Sequence, residues 1–135
     1  MGRPVLDFFY EFASPYSYLS AARIDAMATS RGIAVRWRPF LLGPIFASQG
    51  WDTSPFNIYP AKGRYMWRDV ERRSRALGLP FVQPDPFPQN GLLAARGVLA
   101  ADEATRPEAT RAIFRAGFGE GRQIADPDVV RSALE

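Results

Sequence analysis

The chain has 135 residues, of which 47% are hydrophobic and 23% charged, enough for one globular domain with a core of its own. It contains no cysteine and no histidine. This excludes disulfide exchange, Cys or His nucleophiles and the common zinc sites, and leaves Ser, Tyr, Lys, Arg, carboxylates, backbone amides or a borrowed cofactor to carry any chemistry.

Net charge is +3, and of the 17 basic residues all but Lys62 are arginine. The arginines alternate with acids ("RDVERRSR", "DEATRPEATR") and form no stripe, so solvated helix faces account for them and no nucleic-acid partner is expected. A modest positive field still favours a small anionic ligand. No apolar run approaches the roughly 20 residues that span a bilayer. The opening "MGRPVLDFFYEF" has no signal-peptide layout, so no membrane partner and a cytoplasmic location are expected.

Residues 5–12, "VLDFFYEF", alternate with Phe8, Tyr10 and Phe12 on one side and Asp7, Phe9 and Glu11 on the other, which predicts a strand. Ser14 and Pro15 carry N-cap and first-turn signals for a helix over residues 15–31, with Leu19, Ala22, Ala26 and Met27 near helical spacing and Gly32 as its stop. Ile33, Val35 and Trp37 alternate through a second strand over 33–38. A helical crossover of this length predicts that the two strands run parallel. Residues 39–60 carry four prolines and several aromatics, and read as an ordered, irregular and functional segment.

A helix is predicted over residues 61–77, striped by Met66, Val70, Arg73 and Leu77. After a proline-punctuated connector, Asn90 is positioned to cap a third helix reaching about residue 103. Thr105 and Glu108 have capping-box spacing for a fourth over 107–117, and Asp126-Pro127 opens a last one. Two strands followed only by helices make a poor sheet, because parallel sheets want covered faces and partners.

Ser14 invites two readings. It can simply cap the helix, or, because a helix start after a strand gathers free N–H groups and a positive dipole end, it can donate to an anion bound there. With no histidine or other base near it in sequence, a nucleophilic serine is not expected. Lys62, in "YPAKGRY", is either an exposed first-turn residue or a compact ammonium placed for a ligand. Tyr16, Tyr18, Trp51, Phe56, Tyr59, Tyr65 and Trp67 supply core or groove walls, and Asp52, Asn57, Arg64 and Asn90 are polar groups in or beside the irregular segments.

The segments "FFYEFASPYSYLSAARI", "RWRPFLLGPIF", "QGWDTSPFNIYPAKGRYMWRDVER", "LGLPF" and "FPQNGLLAAR" together resemble the 2-hydroxychromene-2-carboxylate isomerases and the related kappa-class glutathione transferases, in the DsbA-like branch of the thioredoxin superfamily. The resemblance implies an α/β fold. A thioredoxin-like β-α-β start over residues 1–40 would be followed, over 41–135, by a connecting segment and an α-helical insertion domain. Nothing matches the family's later G-V-P-T segment, so the C-terminal half of the thioredoxin sheet is expected to be missing and the chain to be truncated at 135.

It further implies glutathione as cofactor, with Ser14 hydrogen-bonding its sulfur as the catalytic residue, Ser17 in the place of the second cysteine of a CxxC motif, and Asp52 and Lys62 near glutathione. Asp52 stands where relatives carry Asn, and a carboxylate accepts but does not donate. Tyr16, Lys62, Tyr65 and Asn90 are the substrate-side residues, the substrate being a small aromatic carboxylate and the assembly a homodimer. The implied activity is conversion of 2-hydroxychromene-2-carboxylate to trans-o-hydroxybenzylidenepyruvate in aromatic catabolism. A kappa-type transferase and a catalytically inactive truncated remnant are the alternatives.

Overall fold

The computed structural model describes residues 2–135. Strand β1 (Val5–Tyr10) leads through helix α1 (Pro15–Thr29) into strand β2 (Ala34–Pro39), and the strands pair in parallel from Val5 opposite Ala34 to Tyr10 opposite Pro39. Helices α2 (Gly43–Ser48), α3 (Pro55–Ile58), α4 (Pro60–Ala76), α5 (Leu92–Ala100), α6 (Arg106–Phe114) and α7 (Pro127–Leu134) follow, with a single π-helical turn, Arg115–Gly119, extending α6.

One core joins both halves of the chain. Tyr10, Phe12 and Trp37 from the β-α-β unit pack with Phe114, Phe118, Ile113 and Val98 from the helices. Phe12 and Phe114 lie 4.9 Å apart between ring centroids, and Tyr18 stacks on Phe118 at 5.8 Å. The buried Tyr10 hydroxyl pairs with Thr110 Oγ1 at 2.7 Å, so the polar end of this core ring is satisfied across 100 residues of sequence.

Several local expectations are corrected. β1 ends at Tyr10, two residues early, because Ser14 N donates to Glu11 O (3.0 Å) and turns the chain into α1. α1 buries Tyr18, Leu19, Ala21 and Ala28, whereas Ala22, Ala26 and Met27 face solvent. It stops at Thr29, with Gly32 taking the left-handed φ of +66° that follows. Residues 39–60 hold two short helices where irregular chain was expected.

The buried stripe of α4 is Gly63, Met66, Val70 and Ser74. Arg73 instead pairs with Asp69 (3.0 Å), and Leu77 is exposed. α5 ends at Ala100, because Asp102 accepts from both the amide and the hydroxyl of Thr105 (2.9 and 2.8 Å). Asp102 thereby takes the capping role assigned to Thr105, whose side chain makes no cap bond to α6. Asp126 caps α7 as expected, accepting from Asp128 N at 2.9 Å.

Among the described residues β1 pairs with β2 alone. Asp7 holds Arg36 and Arg38 (2.8 and 2.6 Å) on the outer face of the strand pair, and Phe9 beside it is 61% exposed. The two-stranded sheet therefore agrees with the expectation of an incomplete thioredoxin sheet.

Candidate functional site

A cleft of about 680 Å³ opens where β1 hands the chain to α1, within the size range of small-molecule sites. One wall is Ala13, Ser14 and Pro15. The second comes from residues 41–56, where Phe46 and Trp51 pack at 5.9 Å, and the third from Phe87 to Leu92 at the start of α5. Asn57 Nδ2 donates to Phe87 O (2.9 Å) and to Thr53 Oγ1 (3.1 Å), so α3 fastens the second wall to the third. Ser54, buried, caps α3 by accepting from Phe56 N at 3.2 Å.

Ser14 sits at the N-cap of α1 in extended backbone geometry, and its Oγ accepts from Ser17 N at 3.2 Å. A hydroxyl that accepts in this way keeps its own proton for a further partner, and Ser14 lines the cleft. The first turn of α1 contains no acidic residue to neutralise its positive end. Ser14 is thus a cap, as the first reading has it, and it stands in the cleft lining with its hydroxyl proton uncommitted to the cap bond. Ser17 is turned inward, its Oγ accepting from Glu11 N at 3.3 Å.

Asp52 and Asn90 also line the cleft and join Ser14 there. Asn90 Oδ1 accepts from Leu92 N (2.9 Å), the predicted capping contact, although the N-cap position itself is Gly91. Lys62 is not part of the cleft lining; its Nζ stands 5.7 Å from the ring centroid of the lining residue Phe56. Gly63 next to it is dictated by packing, since a Cβ there would collide with the Phe56 carbonyl oxygen.

Tyr16 and Tyr65 do not line the cleft. Tyr16 donates to Asp69 Oδ2 at 2.8 Å, tying α1 to α4. Burial and the Asp69 carboxylate push its hydroxyl up to about 12, and the same hydrogen bond, with help from Arg73, holds Asp69 below the usual carboxylate range. Tyr65 is 68% exposed.

Sequence reasoning missed Glu11, Ser54 and Gln89. Glu11 belongs by alternation to the polar side of the strand, yet it is buried and lines the cleft. Desolvation raises its carboxyl above the usual range, against the pull of the Ala13 and Leu42 amides. Gln89 is buried, its Oε1 accepting from Ile124 N at 2.7 Å while its Nε2 has no protein partner among the described residues. No sequence signal separates these three from ordinary surface polars.

A β-α-β unit whose crossover helix begins with a serine cap at the mouth of a cleft, followed by helices, is the layout of the start of a thioredoxin-like protein, here without cysteine. Residues 5–135 match the model of the DSBA-like thioredoxin domain, and the chain belongs to that family.

Among curated proteins it is 29% identical over 85 residues to glutathione S-transferase kappa 1 of Caenorhabditis elegans, covering 62% of this chain and 37% of that one. It is 27% identical over 118 residues to 2-hydroxychromene-2-carboxylate isomerase of Pseudomonas putida, covering 87% and 57%. A solved structure of 2-hydroxychromene-2-carboxylate isomerase superposes with a TM-score of 0.81 at 25% identity, over 96% of this chain and 65% of that chain. The expected resemblance is therefore upheld, and the chain spans less than two thirds of the length of these relatives.

Proposed function

We propose that the cleft binds glutathione and that the chain serves a glutathione-dependent isomerisation of 2-hydroxychromene-2-carboxylate. The observation that carries this reading is Ser14, whose hydroxyl caps α1 with its lone pair and offers its proton to a cleft of about 680 Å³. Glutathione, when bound, would supply a thiolate nucleophile able to add reversibly to the conjugated substrate and so free a carbon–carbon bond to rotate.

The protein's own contribution is to make ionisation of a thiol favourable. A free thiol has a pKa near 8.5. The N-terminus of α1, whose first turn carries no acidic residue, and the Ser14 hydroxyl both favour a negative sulfur, with Glu11 held on the Ala13 amide just before them. The apolar walls, with Phe46, Trp51, Phe56 and Phe87, exclude water and suit a planar aromatic acid. Lys62, at the Phe56 rim, is placed to attract the substrate carboxylate, and Asn90 offers an amide inside the cleft. Asp52, an acceptor, suits the ammonium or an amide of glutathione. A cytoplasmic location, where reduced glutathione is abundant, and a homodimeric assembly belong to the same proposal.

The test is the absorbance change of 2-hydroxychromene-2-carboxylate with and without glutathione. A rate that depends on glutathione supports the reading, and its absence overturns it. A conjugating transferase of kappa type is the second reading, favoured by the similarity to the kappa transferase. Turnover of 1-chloro-2,4-dinitrobenzene without isomerase activity selects it.

A further inference from the structure

We propose that Glu11 is the positioning residue of this cleft, a buried carboxylate that fixes the start of α1 against the entry to α2 and the start of α5. The inference rests on the glutathione reading and adds to it a residue outside the "SPYS" segment.

Four contacts converge on this one residue. Its amide donates to Ser17 Oγ (3.3 Å), and its carbonyl accepts from Ser14 N (3.0 Å). Its Oε2 accepts from Ala13 N, and the Leu42 amide also favours its charged form. Gly91 faces the third side: a Cβ there would press on Phe12 Cβ at 3.2 Å and stand at an ordinary contact distance of 3.4 Å from Glu11 Oε2, so the α5 start lies beside the carboxylate. The side chain is thus bound to the first wall at Ala13 and faces the α5 start at Gly91, while remaining 5% exposed in the cleft lining.

Among the described residues no cation pairs with this carboxylate. The other ionisable side chain of the lining is Asp52, which is exposed, and no charged group contributes to the shift of Glu11. Burying an unpaired carboxylate opposes folding. The sign follows from its raised pKa: the folded chain holds the proton more tightly than the unfolded one, so Glu11 withdraws stability as pH rises above its ordinary value of 4.5. A residue that costs stability at neutral pH and sits between the walls of the cleft is explained by the cleft. Ionised, it can accept from two amides at once. Protonated, or replaced by Gln, it presents an N–H or O–H toward one of them and that wall loosens.

The test compares Glu11→Gln with wild type by calorimetric titration with reduced glutathione across pH, together with thermal melting at alkaline pH. Glu11→Gln is expected to melt no lower than wild type and to bind glutathione about tenfold more weakly, the scale of one charge-assisted hydrogen bond. It is also expected to lose the acid-side decline in affinity that wild type shows as Glu11 protonates. In the ligand-free protein, the Ala13 and Leu42 amides should exchange with deuterium faster in the variant while the α6 core is unchanged.

Glu11→Gln that unfolds or melts well below wild type overturns the inference, because Glu11 would then be a structural anchor. Gly91→Ala provides the second variant: its added carbon presses on Phe12 Cβ and shifts the α5 start relative to a carboxylate that stays in place, and wild-type affinity in it argues against a joint at this point. Wild-type chain that binds glutathione, with Glu11→Gln matching it in affinity and pH profile, overturns the inference alone. A wild-type chain that does not bind glutathione overturns the cleft reading and the inference with it.

Discussion

Replacing Ser14 separates its two roles, because Gly and Ala differ as caps but not as donors. Ser14→Ala removes the acceptor for Ser17 N and costs about 1 kcal/mol of stability, whereas Ser14→Gly costs only about a few tenths, since Gly is a tolerable N-cap. Both remove the hydroxyl that donates into the cleft. A hydrogen bond to a charged group contributes about 1.5–3 kcal/mol. At 1.36 kcal/mol per pKa unit, its loss raises the pKa of a bound thiol by about 1–2 units.

The assay is the ultraviolet thiolate absorbance of glutathione at saturating protein, followed as a function of pH for wild type, Ser14→Gly, Ser14→Ala and Ser14→Thr. Ser14→Thr keeps both the cap and the donor and should titrate near wild type. Ser14→Gly should fold as well as wild type and still show the raised thiol pKa. If its thiol titrates as in wild type, Ser14 is a cap and nothing more, and the proposed site loses its central donor.

Lys62→Ala should raise the KM for an anionic substrate by about two- to fivefold with little change in stability, the scale of one exposed charge contact; steady-state kinetics check it. Asp52→Asn removes the negative acceptor offered to the glutathione ammonium and should weaken glutathione binding by a similar factor, read by calorimetry. Gly63→Ala drives a methyl into the Phe56 carbonyl and should destabilise the chain by about 1–3 kcal/mol, measured by chemical denaturation. In the alkaline range the folded state keeps the Tyr16 proton up to about 12, against 10.0 for a free tyrosine. Stability therefore falls as pH rises through that window, and Tyr16→Phe should show a shallower decline in alkaline thermal melts.

The β-α-β start was legible because its signals are local. The alternation of "VLDFFY", the Ser14-Pro15 cap and the Gly32 stop each act within a few residues, and each appears in place. Ser14, Asp52 and Asn90 were legible as members of one cleft only through the family resemblance, since 76 residues of sequence separate Ser14 from Asn90.

Where the expectation failed, tertiary contacts overrode local pattern. Tyr16 looks like a groove wall beside Ser14, but two residues along a helix rotate a side chain by about 200°, and that turns it to Asp69 on α4. Glu11 alternates with the polar face of β1, but the strand ends at Tyr10 and the turn that follows carries it inward. Asp102 displaced Thr105 as a cap because its carboxylate reaches both the amide and the hydroxyl of Thr105. The short helices α2 and α3 hide among prolines that occupy their first turns, where a missing N–H is harmless.

The most direct test of the central claim is an amide chemical-shift titration of the 135-residue chain with reduced glutathione. The account predicts concentration-dependent shifts at Ala13, Ser14, Asp52, Asn90 and Gly91, with Tyr65 and the exposed face of α4 unmoved. Shifts confined to other surfaces, or none at saturating glutathione, would contradict it.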